Sequence, residues 1–76
     1  MKRYKTLKTT MLSFEQGRDT ADVVLDPGAV LEFDGSTIWL IQGDKRIESV
    51  TFMNFIPVML ENGTIERVNV KDLPIL

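Results

Sequence analysis

The sequence predicts an all-β fold, which we expect to be a small antiparallel β-barrel or sandwich with an extended N-terminal arm. Turn-forming residues recur at short intervals, and the runs between them are rich in Val, Ile, Thr and Phe. No window sustains the helical spacing of apolar residues over any length. The turn signals are Gln16-Gly17, Asp26-Pro27-Gly28, Asp34-Gly35, Gln42-Gly43 and Asn62-Gly63.

The length allows one domain. A chain of 76 residues buries only about 60% of the surface that its unfolded state exposes, so its own core is marginal. There is no Cys to form a disulfide. We divide the chain into a basic N-terminal arm or first strand, residues 1–14, and a single small β domain, residues 15–76. We expect this domain to gain stability by assembling with copies of itself or with other proteins.

The clearest hairpin is centred on Asp34-Gly35. Asp-Gly is a preferred pair for a two-residue type I′ turn, because both positions need a positive φ. Such a loop pairs Phe33 with Ser36 and Leu31 with Ile38. Side chains alternate between the faces of a sheet. The face assigned to the core therefore holds Leu31, Phe33, Ile38 and Leu40, and the opposite, half-apolar face holds Val30, Glu32, Thr37, Trp39 and Ile41.

A second hairpin is centred on Asn62-Gly63, and two registers are open. A two-residue loop pairs Leu60 with Ile65. A three-residue loop, with Gly63 in a G1 bulge, pairs Leu60 with Thr64. We favour the longer loop because it aligns the apolar residues of both strands on one face, namely Ile56, Val58, Leu60, Val68 and Val70.

Further strands are predicted over residues 9–14, 22–25 and 46–52. The last of these alternates imperfectly unless a bulge near Glu48-Ser49 restores the pattern. Pro57 cannot donate a ladder hydrogen bond, so its nitrogen should face an edge or a bulge. Residues 71–76 are predicted to form a turn that lays Leu73 and Ile75 over one end of the core. The residues expected to be mostly buried are Leu31, Phe33, Ile38, Leu40, Val50, Phe52, Ile56, Val58 and Val68.

Catalytic chemistry is not expected. The chain has neither His nor Cys, which removes the commonest general base and the commonest nucleophile–base pairings. The carboxylate pairs Asp19 with Asp22 and Glu32 with Asp34 are spacings that small domains commonly contain. Asp19, Asp22 and Asp26 do not follow the spacing of an EF-hand loop, and no Gly-rich phosphate loop is present. We therefore predict no enzyme activity, no cofactor, no metal and no small-molecule substrate.

The sequence also indicates where the protein works. No stretch approaches the roughly 20 apolar residues of a membrane span. The basic start, residues 1–5, is followed by residues 6–10, which do not form the apolar core of a secretion signal. We expect no membrane insertion and no secretion through a signal peptide. The predicted localisation is a virion if the protein is viral, and the cytoplasm otherwise.

Charge is distributed unevenly along the chain. The net charge is -2, yet the first eight residues hold four of the nine basic side chains, which leaves -6 on the remainder. A basic segment beside an acidic body suits a contact with another copy of that body or with another protein. The predicted contact residues come from the N-terminal arm, residues 1–14, and from the apolar residues opposite the assigned core. They are Lys2, Arg3, Tyr4, Lys5, Leu7, Lys8, Met11, Val30, Trp39 and Ile41.

We expect residues 1–14 to form an ordered arm that adds to the exposed sheet edge of another chain. A further group of large apolar residues surrounds Asn54. Its two interpretations are part of the core and a protein-contact patch, since Met and Phe are enriched in interfaces. The group consists of Phe52, Met53, Phe55, Ile56 and Met59.

The segments from Glu61 to Val68 and from Val70 to Leu73 resemble the last hairpin and closing turn of many SH3-like barrels. That resemblance implies a binding or scaffolding role. A basic arm on an unstapled core also matches, by architecture, the small β subunits that decorate or cement viral shells or lie in phage head–tail joints. The first hypothesis is therefore a non-catalytic structural or assembly subunit, most simply a viral-particle component. The alternatives are an SH3-like adaptor or regulatory module, and an accessory nucleic-acid-binding protein that uses the basic arm.

Overall fold

The computed structural model of the chain describes residues 2–51 and 54–76, and within them eight strands form two antiparallel sheets. One 3₁₀ helix, Val70–Asp72, follows the last strand. The strands are β1 Lys2–Lys5, β2 Thr9–Gln16, β3 Asp19–Leu25, β4 Val30–Phe33, β5 Ile38–Gln42, β6 Lys45–Glu48, β7 Phe55–Met59 and β8 Ile65–Asn69.

Each sheet has four strands. The first sheet has the order β1-β4-β5-β6, and the second sheet has the order β3-β2-β7-β8. The all-β prediction is confirmed, and no closed barrel is formed within residues 2–51 and 54–76. Most neighbouring strands are joined by short turns, which the Gly-containing pairs of the sequence supply.

The core draws on both sheets. Its buried side chains come from β1, β4 and β5 of the first sheet, from β2, β3 and β7 of the second, and from the 3₁₀ helix, which holds Val70. They are Tyr4, Leu12, Leu25, Leu31, Phe33, Ile38, Leu40, Ile56, Val58 and Val70. Of the predicted core, Val50 and Val68 are only half-buried, and Phe52 lies outside the described residues.

The register predicted for the first hairpin is wrong by two residues. Phe33 pairs with Ile38, so the loop has four residues, 34–37. The Asp34 carboxylate accepts hydrogen bonds from the backbone N–H groups of Ser36 (2.9 Å) and Thr37 (2.7 Å), and within this loop only Gly35 has a positive φ, of 101°. The Asp34 side chain therefore turns the chain where the type I′ turn was expected. A two-residue shift keeps every side chain on its predicted face.

The favoured register of the second hairpin is confirmed. Leu60 N–H donates to the Thr64 carbonyl oxygen (2.8 Å), and Gly63 N–H donates to the Leu60 carbonyl oxygen (2.9 Å). Gly63 has a φ of 82°, which an L side chain rarely adopts. The ladder then continues to the pairing of Ile56 with Val68, so the inward faces of β7 and β8 match.

The expected N-terminal arm is instead part of the domain. β1 pairs with β4 along its whole length, and Tyr4 is buried in the core. The outer edge of β1 is occupied by the C-terminal residues, since Lys5 N–H donates to the Pro74 carbonyl and Leu76 N–H donates to the Arg3 carbonyl, both at 2.9 Å. The prediction that this segment extends to another chain's sheet edge is therefore wrong. Burial of Tyr4 and main-chain pairing on both sides outweigh the solvation of the flanking charges.

The chain changes sheets at the position where a bulge was expected. Ser49 is buried, and its N–H (2.9 Å) and hydroxyl (2.7 Å) both donate to the Ile38 carbonyl of β5. The N–H of the next residue, Val50, donates to the Ser13 carbonyl of β2 (2.8 Å). β6 thus ends at Glu48, and the alternation changes because the chain passes from the first sheet to the second.

Candidate functional site

The outer face of the second sheet is apolar. Thr10 and Leu12 of β2 and Ile56 and Val58 of β7 are buried inward. Alternation therefore turns the intervening side chains outward. The outward apolar residues of this sheet, which we call the apolar face, are Met11, Val24, Phe55, Pro57, Met59 and Ile65.

Much of the apolar face is accessible. The exposed fractions are 56% for Val24, 46% for Phe55, 36% for Met59 and 54% for Ile65. Single exposed apolar residues are ordinary on protein surfaces, whereas several on one sheet face are typical of interaction surfaces. These residues come from β3, β7 and β8, so the group extends across the sheet and is not confined to one strand.

A cleft opens where β2 and β7 separate. Their pairing is limited to Thr9 with Met59 and Thr10 with Val58. Hydrogen bonds lie at both ends of the β7–β8 ladder, and the alternation along it makes Pro57 and Arg67 a non-hydrogen-bonded pair. The Pro57 nitrogen therefore points toward β2, at a level beyond the last pair that joins β2 to β7. Pro57 was expected at an edge or a bulge, and it lies instead on an interior strand, with its nitrogen facing the gap between β2 and β7. The cleft has a volume of about 400 Å³.

The apolar face has opposite charges at its two edges. Asp22 lies on the edge strand β3, where its carboxylate accepts a hydrogen bond from the Ser13 hydroxyl (2.6 Å). Arg67 lies on the opposite edge strand, β8, and is exposed. Both side chains line the cleft. The face therefore combines an apolar centre with an acidic edge and a basic edge.

The outer face of the first sheet is covered by its own side chains. The Arg46 guanidinium lies over the Trp39 ring, 3.7 Å from its centroid, and Arg46 Nε donates to Glu32 Oε2 at 2.8 Å. The Glu32 side chain is only 10% exposed, whereas that of Arg46 is 37% exposed. Val30, Trp39 and Ile41 are each half-buried. An arginine stacked on an aromatic ring and paired with a carboxylate satisfies this face internally.

A carboxyl group in the loop at one end of this face has a strongly lowered pKa. Backbone donation from Thr37, and then from Ser36, lowers the pKa of the exposed Asp34 carboxyl to about 2. The indole N–H of Trp39 lowers the pKa of Asp34 by a smaller amount. Its buried nitrogen has no partner at hydrogen-bond distance and angle among the described residues, so its interaction with Asp34 falls outside that geometry. The shift reflects turn structure, because both backbone donors belong to the loop itself.

The predicted contact residues are divided among five regions. Tyr4 lies in the core and is unavailable for a contact, which corrects that prediction. Lys2, Arg3 and Lys5 are exposed on β1. Val30, Trp39 and Ile41 lie on the internally covered face. Leu7 and Lys8 border a second hollow beside Met59, and Met11 belongs to the apolar face. The structure therefore does not bring these residues together in one site.

Most of the apolar face was missed at the level of sequence. A signal was present, because residues 55–60 form a continuous apolar run in a strand that turns alternate residues to opposite faces. A strand with one solvated face alternates apolar and polar residues. The contact interpretation of Phe55 and Met59 depended on composition alone, and Val24 and Ile65 stood in strands whose neighbours were unknown.

The described ranges contain no group of three or more acidic side chains placed to hold a metal ion. No helix in residues 2–51 or 54–76 has the length and apolar character needed to cross a membrane. No protein-family model, curated protein or solved structure shows significant similarity to the chain.

Proposed function

We propose that the protein is a non-catalytic assembly subunit that binds another protein through the apolar face of its second sheet. The observation that carries the proposal is the exposure of Val24, Phe55, Met59 and Ile65 on one side of the sheet. Their burial in a complex would stabilise it by about 25 cal/mol for each Å² removed from water.

The composition of this surface supports a protein partner. Met, Phe and Arg are enriched in protein interfaces, whereas the other charged residues are depleted at the centres of those interfaces. Asp22 and Arg67 lie at the edges, where charge fixes orientation more than affinity. A membrane or nucleic-acid partner would favour a cluster of basic residues, and Arg67 is the single basic residue among those that line the cleft.

We also propose that the two sheets pack face to face as a sandwich. One cluster of buried side chains draws on both sheets, and the chain passes between them at Ser49 and Val50. Two packed sheets leave two outer faces. One of these is satisfied by Arg46, Trp39 and Glu32, and the other requires a partner for its apolar residues. The predicted viral-particle component would be one example of such a subunit.

Site-specific photo-cross-linking tests the proposal. A photo-reactive phenylalanine analogue replaces Ile65 on the apolar face or, as a control, Lys45 on β6 of the first sheet, and the full-length chain is produced in the cells from which it comes. Both positions are exposed, so both variants should fold. We expect a discrete cross-linked adduct from position 65 and none from position 45. Equal adducts at both positions, or none at either, would contradict the proposal.

A further inference from the structure

We propose that the partner of the apolar face is a second copy of this chain, stacked face to face about a twofold axis parallel to the strands. The inference rests on the proposed function and specifies its partner. A twofold interface uses the same surface of both copies, so that surface must be complementary to itself.

The charges of the face satisfy this condition. Asp22 lies on β3 and Arg67 lies on β8, at opposite edges of the same sheet. A twofold axis in the interface and parallel to the strands places β3 of one copy over β8 of the other. The acidic edge then meets the basic edge twice, once on each side of the axis.

The other twofold arrangement is disfavoured by the same charges. An axis in the interface but perpendicular to the strands places β3 over β3 and β8 over β8. Asp22 would then face the Asp22 edge of the second copy, and Arg67 would face the Arg67 edge. Like charges that face each other across an interface are destabilising, so the charge pattern selects the parallel axis.

The apolar residues are arranged consistently with that choice. The parallel axis places β2 of one copy over β7 of the other, so Met11 lies near the Pro57 and Met59 strand. Val24 on β3 lies over the strand that holds Ile65. Asp22 is displaced from Arg67 by one outward-facing position along the strands, roughly 7 Å. An extended arginine side chain spans that offset.

The available hydrogen-bonding groups also suit this contact. No ion pair or hydrogen bond joins Arg67 to any side chain of the described residues. The Ser13 hydroxyl donates to one acceptor position of the Asp22 carboxylate, whose two oxygens accept several hydrogen bonds. Arg67 can therefore donate to the Asp22 carboxylate of the second copy while the bond to Ser13 is kept.

Charge reversal tests the arrangement in the full chain. The variants are Asp22→Lys, Arg67→Glu and the double variant, with Asp44→Lys in the turn after β5 as a matched control. All of these positions are exposed, and circular dichroism checks the fold of each variant. Sedimentation equilibrium measures the dimer dissociation constant. We expect each single reversal to raise it about tenfold or more, because two attractive pairs become repulsive. The double variant should return close to the wild-type value, and the control should not change it.

The outcomes separate this inference from the proposed function. A wild-type chain that is monomeric at about 100 µM, which corresponds to a free energy weaker than about -5.5 kcal/mol, would overturn the second-copy inference. Reversals without effect, or a double variant as weak as the singles, would overturn the parallel axis. A position-65 cross-link with twice the chain mass supports the inference. An adduct with a different protein would overturn it while leaving the proposed function intact.

Discussion

The two sheets of this protein differ in how their outer faces are completed. On the first sheet, Arg46 lies over Trp39 and pairs with Glu32, and the apolar residues there are half-buried. On the second sheet, Val24 and Ile65 are each more than half exposed. Both faces contain large apolar residues, and on the first the Arg46 side chain lies across the Trp39 ring.

A small β domain can therefore build a buried core and still leave the apolar residues of one outer face exposed. A cation stacked on an aromatic ring covers apolar surface and keeps its charge near solvent. On the second sheet, Asp22 and Arg67 lie on the edge strands and Glu15 lies near the end of β2, and the apolar residues between them remain exposed. A substitution on the first outer face should therefore change folding, and one on the second should change association.

The largest effect is expected where the first sheet depends on the N-terminal strand. Tyr4→Ala removes an almost fully buried aromatic side chain from the core. We expect the free energy of unfolding, measured by urea denaturation, to fall by about 3 kcal/mol. Lys5→Ala on the same strand is the control and should change it by less than about 0.5 kcal/mol. Equal, small effects would mean that β1 is a detachable arm.

The next effect concerns the covered face. Arg46→Ala leaves the nearly buried Glu32 carboxylate without its ion pair and uncovers the Trp39 ring. We expect a loss of about 2 kcal/mol in the free energy of unfolding. In a double-mutant cycle, Glu32→Gln should recover part of that loss, because it removes the unpaired charge. Strict additivity of the two substitutions would contradict the coupling of these side chains.

A smaller effect on folding is expected on the apolar face. Val24→Thr keeps the shape of the side chain and replaces one exposed methyl group with a hydroxyl. Under dilute conditions the free energy of unfolding should change by less than about 0.5 kcal/mol. At concentrations where the chain associates, the same substitution should weaken association measurably in sedimentation experiments. A variant that unfolds more easily but associates normally would reverse the comparison.

The smallest effect lies in the loop beside Trp39. The folded-state pKa of Asp34 is about 2 against an ordinary 3.8, so its charged form is stabilised by folding. That contribution is complete above pH 3.8 and is lost as the pH falls toward 2. Carboxyl-carbon NMR should show a midpoint near pH 2 for Asp34. Asp34→Asn keeps a hydrogen-bond acceptor but does not titrate near pH 2, so it serves as the control. A wild-type midpoint near 3.8 would contradict the loop hydrogen bonds.

The sequence was sufficient to predict the local elements of the fold. The Gly-containing pairs gave the positions of both hairpins, and alternation gave the inward faces of β4, β5 and β7. The Asn62-Gly63 register followed from matching the apolar faces of its two strands. The Asp34-Gly35 register could not be predicted in this way. A turn made by the Asp34 side chain and a type I′ turn give registers that differ by two residues, and a two-residue shift leaves every side chain on the same face.

The long-range arrangement could not be predicted in the same way. Nothing local shows that β1 pairs with β4, or that residues 74–76 close its outer edge. Pairing between distant segments depends on the whole core, so a basic N-terminal segment suggested a free arm. The proposed contact site was missed for the same reason, since Val24 and Ile65 lie on one face only when β3 and β8 flank the same sheet.

The most direct test of the different roles of the two faces is hydroxyl-radical footprinting, in which the chain in its native assembly is compared with the diluted, purified chain. The oxidation rates of Met59 and Ile65 should fall several-fold in the assembly, while those of Trp39 and Ile41 stay unchanged. Protection of Trp39 and Ile41 with continued oxidation of Met59 and Ile65 would contradict the assignment of the apolar face as the contact surface.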